Sequence, residues 1–241
     1  MIGARLKVLA AMIVVVVAAT GVATAPSAKV RNAPVVKKRQ ELAMLLTSHR
    51  VVSSPNSRLN VGTVHAWRPI TGVRTVLPVI GHASTAGRVD WLRVLVPGRP
   101  NGGKGWIRAR GTVPRATGWH LVVRTSARRV LAYFHGGLVR SFAAIVGKPS
   151  TPTPRGQFFV EERLRVGPGD PGGPFALALS ARSDVLRRFE GGPGQIALHG
   201  IANLGGTLGT AVSHGCVRLG NRSIRWLAAR IAPGVPVTIT G

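Results

Sequence analysis

Glycine and proline interrupt this chain so often that, beyond its first thirty residues, no apolar run is long enough for more than a short strand. The 31 glycines and 17 prolines act as punctuation between β-branched and aromatic runs. Val76-Leu77-Pro78-Val79-Ile80 stops at Gly81, and Trp91-Leu92-Arg93-Val94-Leu95-Val96 stops at Pro97. Short runs closed by turn residues predict strands and hairpins rather than a helical bundle. Helical spacing occurs in few places: at 223–231, over one or two turns at 183–189, and at 35–49 through Val36, Leu42, Leu45 and Leu46. The fold class this implies is mainly β.

The N-terminus has a different texture. Arg5 and Lys7 precede an uncharged apolar run at 8–25, and Lys29, Arg31, Lys37, Lys38 and Arg39 follow it. A positive flank, an apolar core and the small residues Ala23-Thr24-Ala25 describe a secretory signal peptide, although Pro26 disfavours a cut directly after Ala25. The run also nears the roughly 17–25 residues that cross a bilayer. Residues 1–28 are therefore expected to be a signal peptide or an N-terminal membrane anchor. Both place the rest of the chain in the cell envelope: periplasm, wall or secreted. The 241 residues contain one cysteine, so no internal disulfide forms, and a lone thiol in an exported protein calls for a chemical explanation.

Charge narrows the partners. Thirty-three Lys and Arg against seven Asp and Glu give a formal net charge of +26. Such a surface draws in polyanions, among them anionic wall polymers, nucleic acids and lipid headgroups. The arginines are scattered and no nucleic-acid motif accompanies them, so no nucleic acid is expected as partner, and the membrane enters only through the N-terminal segment.

Residues 29–59 read as a basic linker that ends at the breaker Ser53-Ser54-Pro55-Asn56-Ser57. Over 60–115 a Trp-initiated strand, the turn Pro100-Asn101-Gly102-Gly103 and Gly105-Trp106-Ile107-Arg108 form a hairpin signal with Trp91 and Trp106 in its core. At these residues the segment resembles the bacterial SH3-like domains of wall enzymes, which implies a small β-barrel. From Trp119 a second domain runs over 119–241. Strands at 129–134 and 138–146 form a hairpin across His135-Gly136-Gly137, a stiff loop occupies 151–156, and a strand follows at 157–160. The Gly/Pro-rich stretch 167–174 is expected to be a mobile flap beside a site. A buried strand ends at His199-Gly200, and a last strand closes the chain at 235–240.

The chemistry concentrates in His199-Gly200 and in Ser213-His214-Gly215-Cys216-Val217-Arg218-Leu219. The one cysteine lies two residues after one histidine and seventeen after another. A thiol needs a neighbouring base to become a nucleophile, and an imidazole at the end of a buried strand is rigidly held. Gly200 and Gly215 are expected to let backbone approach closely and to expose N–H groups toward a developing oxyanion. No Asp or Glu lies near either histidine in sequence, so a backbone carbonyl would orient the base. Glu161-Glu162 do not make a glycosidase pair, because adjacent strand residues point to opposite faces. Other readings stay open: Cys216 as an inert buried thiol, His199 as a core histidine, His214 as a structural donor, Arg218 as an ordinary surface arginine, and His199, His214 and Cys216 as zinc ligands, with no fourth ligand in view.

This constellation resembles the signature of the L,D-transpeptidase catalytic domain, as do Thr153-Pro154-Arg155-Gly156 and the terminal Gly234-Val235-Pro236-Val237-Thr238-Ile239. The resemblance covers about half the chain and implies a strand-dominated sandwich with the cysteine in a cleft. It further implies an acyltransferase that forms 3→3 crosslinks between peptidoglycan stem peptides through a thioester on Cys216. His199 would be its base and His214 a further catalytic residue. Gly200, Ser213, Gly215 and Arg218 would bind substrate or shape the oxyanion region. No metal or organic cofactor is implied. The alternatives are an L,D-carboxypeptidase or hydrolase using the same site, or a non-catalytic wall-binding protein.

Overall fold

Among the described residues strands make up almost all of the regular structure, at lengths set by the glycines and prolines between them. The computed structural model describes residues 34–85, 87–189 and 191–241. The leader or anchor expected at 1–28 lies outside the described residues. Among those described, no helix is long and apolar enough to cross a membrane.

Seven strands form a first, wholly antiparallel sheet: β1 (Gln40–Leu45), β2 (His49–Val52), β3 (Asn60–Val64), β4 (Val76–Thr85), β5 (Arg88–Leu95), β6 (Lys104–Arg108) and β7 (Thr112–Thr117). Their order is β3-β2-β6-β5-β4-β1-β7. The sheet therefore starts at Gln40, inside the stretch expected as linker, and the helix expected at 35–49 does not form. β1 is hydrogen-bonded on both edges, to β4 and to β7. Two backbone ladders outweigh a helical spacing carried by four residues, and Leu46, one of the four, is 45% exposed. Leu45, Val51, Leu77, Val94 and Ile107 fill the core of this sheet; Trp91 is buried with them and Trp106 is half-buried.

The second sheet takes β8 (Trp119–Arg124), β9 (Arg129–Phe134), β10 (Gly137–Gly147), β11 (Gly156–Arg165), β12 (Phe175–Arg182), β13 (Gln195–His199), β14 (Ala211–Ser213), β15 (Val217–Leu219) and β16 (Pro236–Thr240). The order is β14-β10-β15-β13-β12-β11-β16-β8-β9, and β10 also pairs with β9, so the ladder returns on itself. The single helix among the described residues, α1 (Asn221–Ala228), buries Ile224 and Leu227 in this core. It begins just after Gly220 and ends before Pro233-Gly234, two residues ahead of the 223–231 expected. The helical turns expected at 183–189 are absent. Ser183 Oγ accepts the Val185 and Leu186 N–H groups at 3.3 and 2.9 Å, and Phe189 and Gly192 bond each other's backbone. Gly191, Gly192, Pro193 and Gly194 then stop any helix from propagating.

β11 joins the two sheets. Phe158 packs into the core of the second sheet and its neighbour Phe159 into the core of the first, as alternation along a strand dictates. Two residues on, the alternation fails. A register shift between Val160 and Glu162 leaves both Glu161 and Glu162 buried, and Arg68 pairs with both. The opposite-face argument against these carboxylates is thus corrected by the bulge, which delivers two successive side chains to one partner. They are structural all the same: Arg182 Nη1 donates to Glu161 at 3.0 Å, and Thr71 N and Oγ1 donate to Glu162 at 2.8 and 2.7 Å. Two cations and two carboxylates balance in the seam, which is what buried charge requires.

Candidate active site

Register assembles the site. β13 and β15 run parallel, with Leu198 opposite Val217 and His199 opposite Arg218. Leu198 and Val217 are fully buried, so their flanking residues His199, Cys216 and Arg218 emerge on the other face of the ladder. All three line one cleft of about 580 Å³, together with His214.

His199 is held from two sides. Its Nδ1–H donates to the Gly200 carbonyl at 2.8 Å, which leaves Nε2 as the lone-pair nitrogen of the neutral ring. A Cβ on Gly172 would sit 2.7 Å from His199 Nδ1, so the imidazole lies directly against bare backbone there. Burial pushes the His199 pKa below its ordinary 6.5; the bond to Gly200 pulls it up and the neighbouring Arg218 charge pushes it down again. A neutral imidazole in this position can accept a proton near neutral pH.

Cys216 ends a turn that other side chains brace. Ser213 is fully buried; its Oγ donates to the Cys216 carbonyl at 2.6 Å and accepts the Gly215 N–H at 3.2 Å. Thr153 Oγ1 donates to the Gly215 carbonyl at 2.8 Å and accepts Gly147 N–H at 2.9 Å, and Thr151 Oγ1 donates to the Ser213 carbonyl at 3.2 Å. Gly215 has φ +118°, which the turn requires and an L side chain rarely adopts. The thiol lies 3.9 Å from the Gln195 carbonyl.

The glycines provide the expected close approach but not the exposed N–H groups. The Gly215 N–H bonds Ser213 Oγ and the Gly200 N–H bonds the Gly172 carbonyl at 2.9 Å, so neither is exposed toward an oxyanion. The two glycines shape the site by close approach instead: a Cβ on Gly200 would collide with the Gly173 carbonyl. Gly172 N–H also bonds the Ala202 carbonyl at 2.8 Å, and Asn203 Nδ2 bonds the Gly169 carbonyl at 2.7 Å. The stretch expected as a mobile flap lies beside the cleft and is stitched to it.

Arg218 Nη1 donates to the Gly205 carbonyl at 3.0 Å, while its buried Nε–H has no acceptor among the described residues. His214 is exposed at the rim, its ring 5.6 Å from that of Phe189. Among the described residues, no three His, Cys, Asp or Glu side chains converge as metal ligands. Sequence reasoning missed Thr151, Gly172 and Gln195, and also Asn221, whose Oδ1 accepts the Ile201 N–H at 3.0 Å beside Gly200. The one available signal was the density of Thr, Pro and Gly in the loops at 151–156 and 167–174.

A family model, the YkuD L,D-transpeptidase catalytic domain, matches residues 118–239. A protein named for YkuD from Bacillus licheniformis is 31% identical over 147 residues, which cover 61% of this chain and 73% of that protein. A YkuD protein from Bacillus subtilis is 28% identical over 154 residues, 64% of this chain and 78% of its own length. An L,D-transpeptidase structure from Mycobacterium tuberculosis is 18% identical, covers 69% of this chain and 90% of that one, and superposes with a TM-score of 0.43. By the family match and the curated relatives together, the chain belongs to the YkuD family and is an L,D-transpeptidase enzyme.

Proposed function

We propose that this enzyme forms 3→3 crosslinks between peptidoglycan stem peptides by thioester acyl transfer on Cys216. The observation that carries the reading is the parallel β13–β15 register, which turns Cys216, His199 and Arg218 into one cleft. His199 Nε2 takes the thiol proton, and the thiolate attacks the carbonyl of the third residue of a donor stem. The C–N bond to the terminal D-alanine breaks, and the leaving amine takes the proton back from His199. The side-chain amine of a second stem then attacks the thioester, gives its proton to His199 and regenerates the thiol. Arg218 lines the cleft and offers its guanidinium to a stem carboxylate as a bidentate cation. Ser213 and Gly215 keep the turn in shape, Gly200 orients the base, and His214 contacts substrate at the rim.

The rest of the reading concerns place. The expected leader or anchor at 1–28 directs the enzyme to the cell envelope. The first sheet, SH3-like by its tryptophan hairpin, retains it at the wall. A wide groove there carries Arg50, Arg88, Arg108 and Arg110 with one carboxylate, Asp90, which supports attraction to anionic wall polymers.

The decisive experiment incubates residues 34–241, and a Cys216→Ala control, with a disaccharide-tetrapeptide containing diaminopimelate and follows products by mass spectrometry. A crosslinked dimer with loss of D-alanine, absent in the control, is expected. Tripeptide alone would convert the reading to L,D-carboxypeptidase. Absence of both products and of any thioester on Cys216 would leave a wall-binding protein.

A further inference from the structure

The first sheet sends a finger into the active-site cleft. Between β3 and β4 the chain doubles back on itself: Arg68 N–H bonds the Val73 carbonyl at 2.8 Å, Thr75 N–H bonds Ala66 at 2.8 Å, and Gly72 N–H closes the tip onto Arg68 at 3.0 Å. Trp67 pairs with Arg74 across the finger, and the Arg74 guanidinium lies 3.6 Å from the centre of the Trp67 ring. Toward the tip Arg68 is locked to Glu161 and Glu162, and Thr71 bonds Glu162 twice. What this bracing presents at the tip is Ile70. Its side chain lines the same cleft as Cys216 and His199 yet is 62% exposed.

A single exposed isoleucine on a protein surface is unremarkable. Here it is not isolated, since Val166, Leu186 and Phe189 line the cleft with it. A second loop of the first sheet fixes the strand end that leads to two of these residues. Asn101 Oδ1 accepts the Arg182 N–H at 2.8 Å, and its Nδ2 donates to the Arg182 carbonyl at 2.7 Å and to Asp184 at 2.8 Å. The first sheet thus supports the cleft at two separate points. Gln195 extends the link, bonding Glu161 at 3.4 Å while its own carbonyl meets the Cys216 thiol.

From this we infer that Ile70 is a specificity-determining residue that packs on the aliphatic part of the peptide bound at Cys216, so that the first sheet completes the substrate site. The inference rests on the stem-peptide reading for its substrate. The chemistry it recognises is an alanyl methyl or the polymethylene chain of a diamino acid. Losing one methylene from such a contact weakens binding about fourfold.

The test uses the full chain with Ile70→Leu, Ile70→Ala and Ile70→Asp, and two readouts. The first compares alkylation of Cys216 by N-hexylmaleimide and by iodoacetamide, which requires no knowledge of the natural reaction. The second measures KM and kcat with the disaccharide-tetrapeptide. Ile70→Ala is expected to lower the hexylmaleimide rate, and to raise KM, by at least about fourfold. Ile70→Asp does more and Ile70→Leu restores both, while the iodoacetamide rate, kcat and the thermal midpoint stay near wild type. An unchanged hexylmaleimide-to-iodoacetamide ratio across all three variants would overturn the inference. If the ratio shifts although wild type never turns over the tetrapeptide, the Ile70 contact stands and the stem-peptide reading falls.

Discussion

His199 is buried beside Arg218 across a parallel ladder, and burial first, with the neighbouring charge a lesser cause, holds its pKa down. Burial and the Arg218 charge both disfavour the imidazolium, so the base stays neutral below the 6.5 of an ordinary histidine. The sign follows directly. In the proposed mechanism protonation of His199 shuts off proton transfer, so kcat/KM is expected to fall as pH drops through a lowered pKa. The acid limb is expected at a pH under 6.5, and Arg218→Gln, by removing a cation, moves it upward. A full pH–rate profile of both proteins checks this; a limb that moves down or not at all would separate the base from Arg218. That Cys216 and His199 meet in one cleft was legible, because spacing and residue type suffice to name a candidate thiol–imidazole pair. The roles of Gly172, Thr151 and Thr153 were not. Thr153 braces Gly215 from sixty-two residues away, and nothing local to a threonine announces such a bond.

At the scale of elements, β11 carries the most information per residue. Phe158 and Phe159 belong to different cores, and Glu161 and Glu162 to one ion network. Alternation predicts the first pair and a bulge defeats it for the second, since a bulge is a property of strand pairing and leaves no mark in a run such as Phe-Phe-Val-Glu-Glu. Phe159→Ala empties a fully enclosed site in the first sheet from a strand of the second. A cost of about 3–5 kcal/mol is expected, read by urea denaturation with tryptophan fluorescence. Because the side chain closes one sheet and its backbone belongs to the other, far-ultraviolet circular dichroism should report the same midpoint shift; separate transitions would mean that the sheets unfold independently. β1 teaches the complementary lesson: its apolar spacing fits a helix, and two flanking strands decide otherwise.

For the whole molecule, residues 34–241 form one unit in which the first sheet is more than a tethered module. Cutting it away would expose Phe159, strand Glu161 and Glu162 without Arg68, and bare Gly234, against which Val76 and Leu42 pack. Residues 118–241 alone are therefore expected to aggregate or to unfold well below the midpoint of 34–241. Size-exclusion chromatography with a thermal melt decides it, and a monomer of equal stability would refute the coupling. The sequence by itself determined the β class, the hairpins and the candidate thiol–imidazole pair, because turn residues, strand periodicity and a reactive side chain act over a few neighbours. Only tertiary structure decided the start of the first sheet, the bulge, the bracing of the cysteine turn and the reach of Ile70 into the cleft. Those depend on which strand edges and buried charges find each other across the fold, a matter of pairing energies between distant segments.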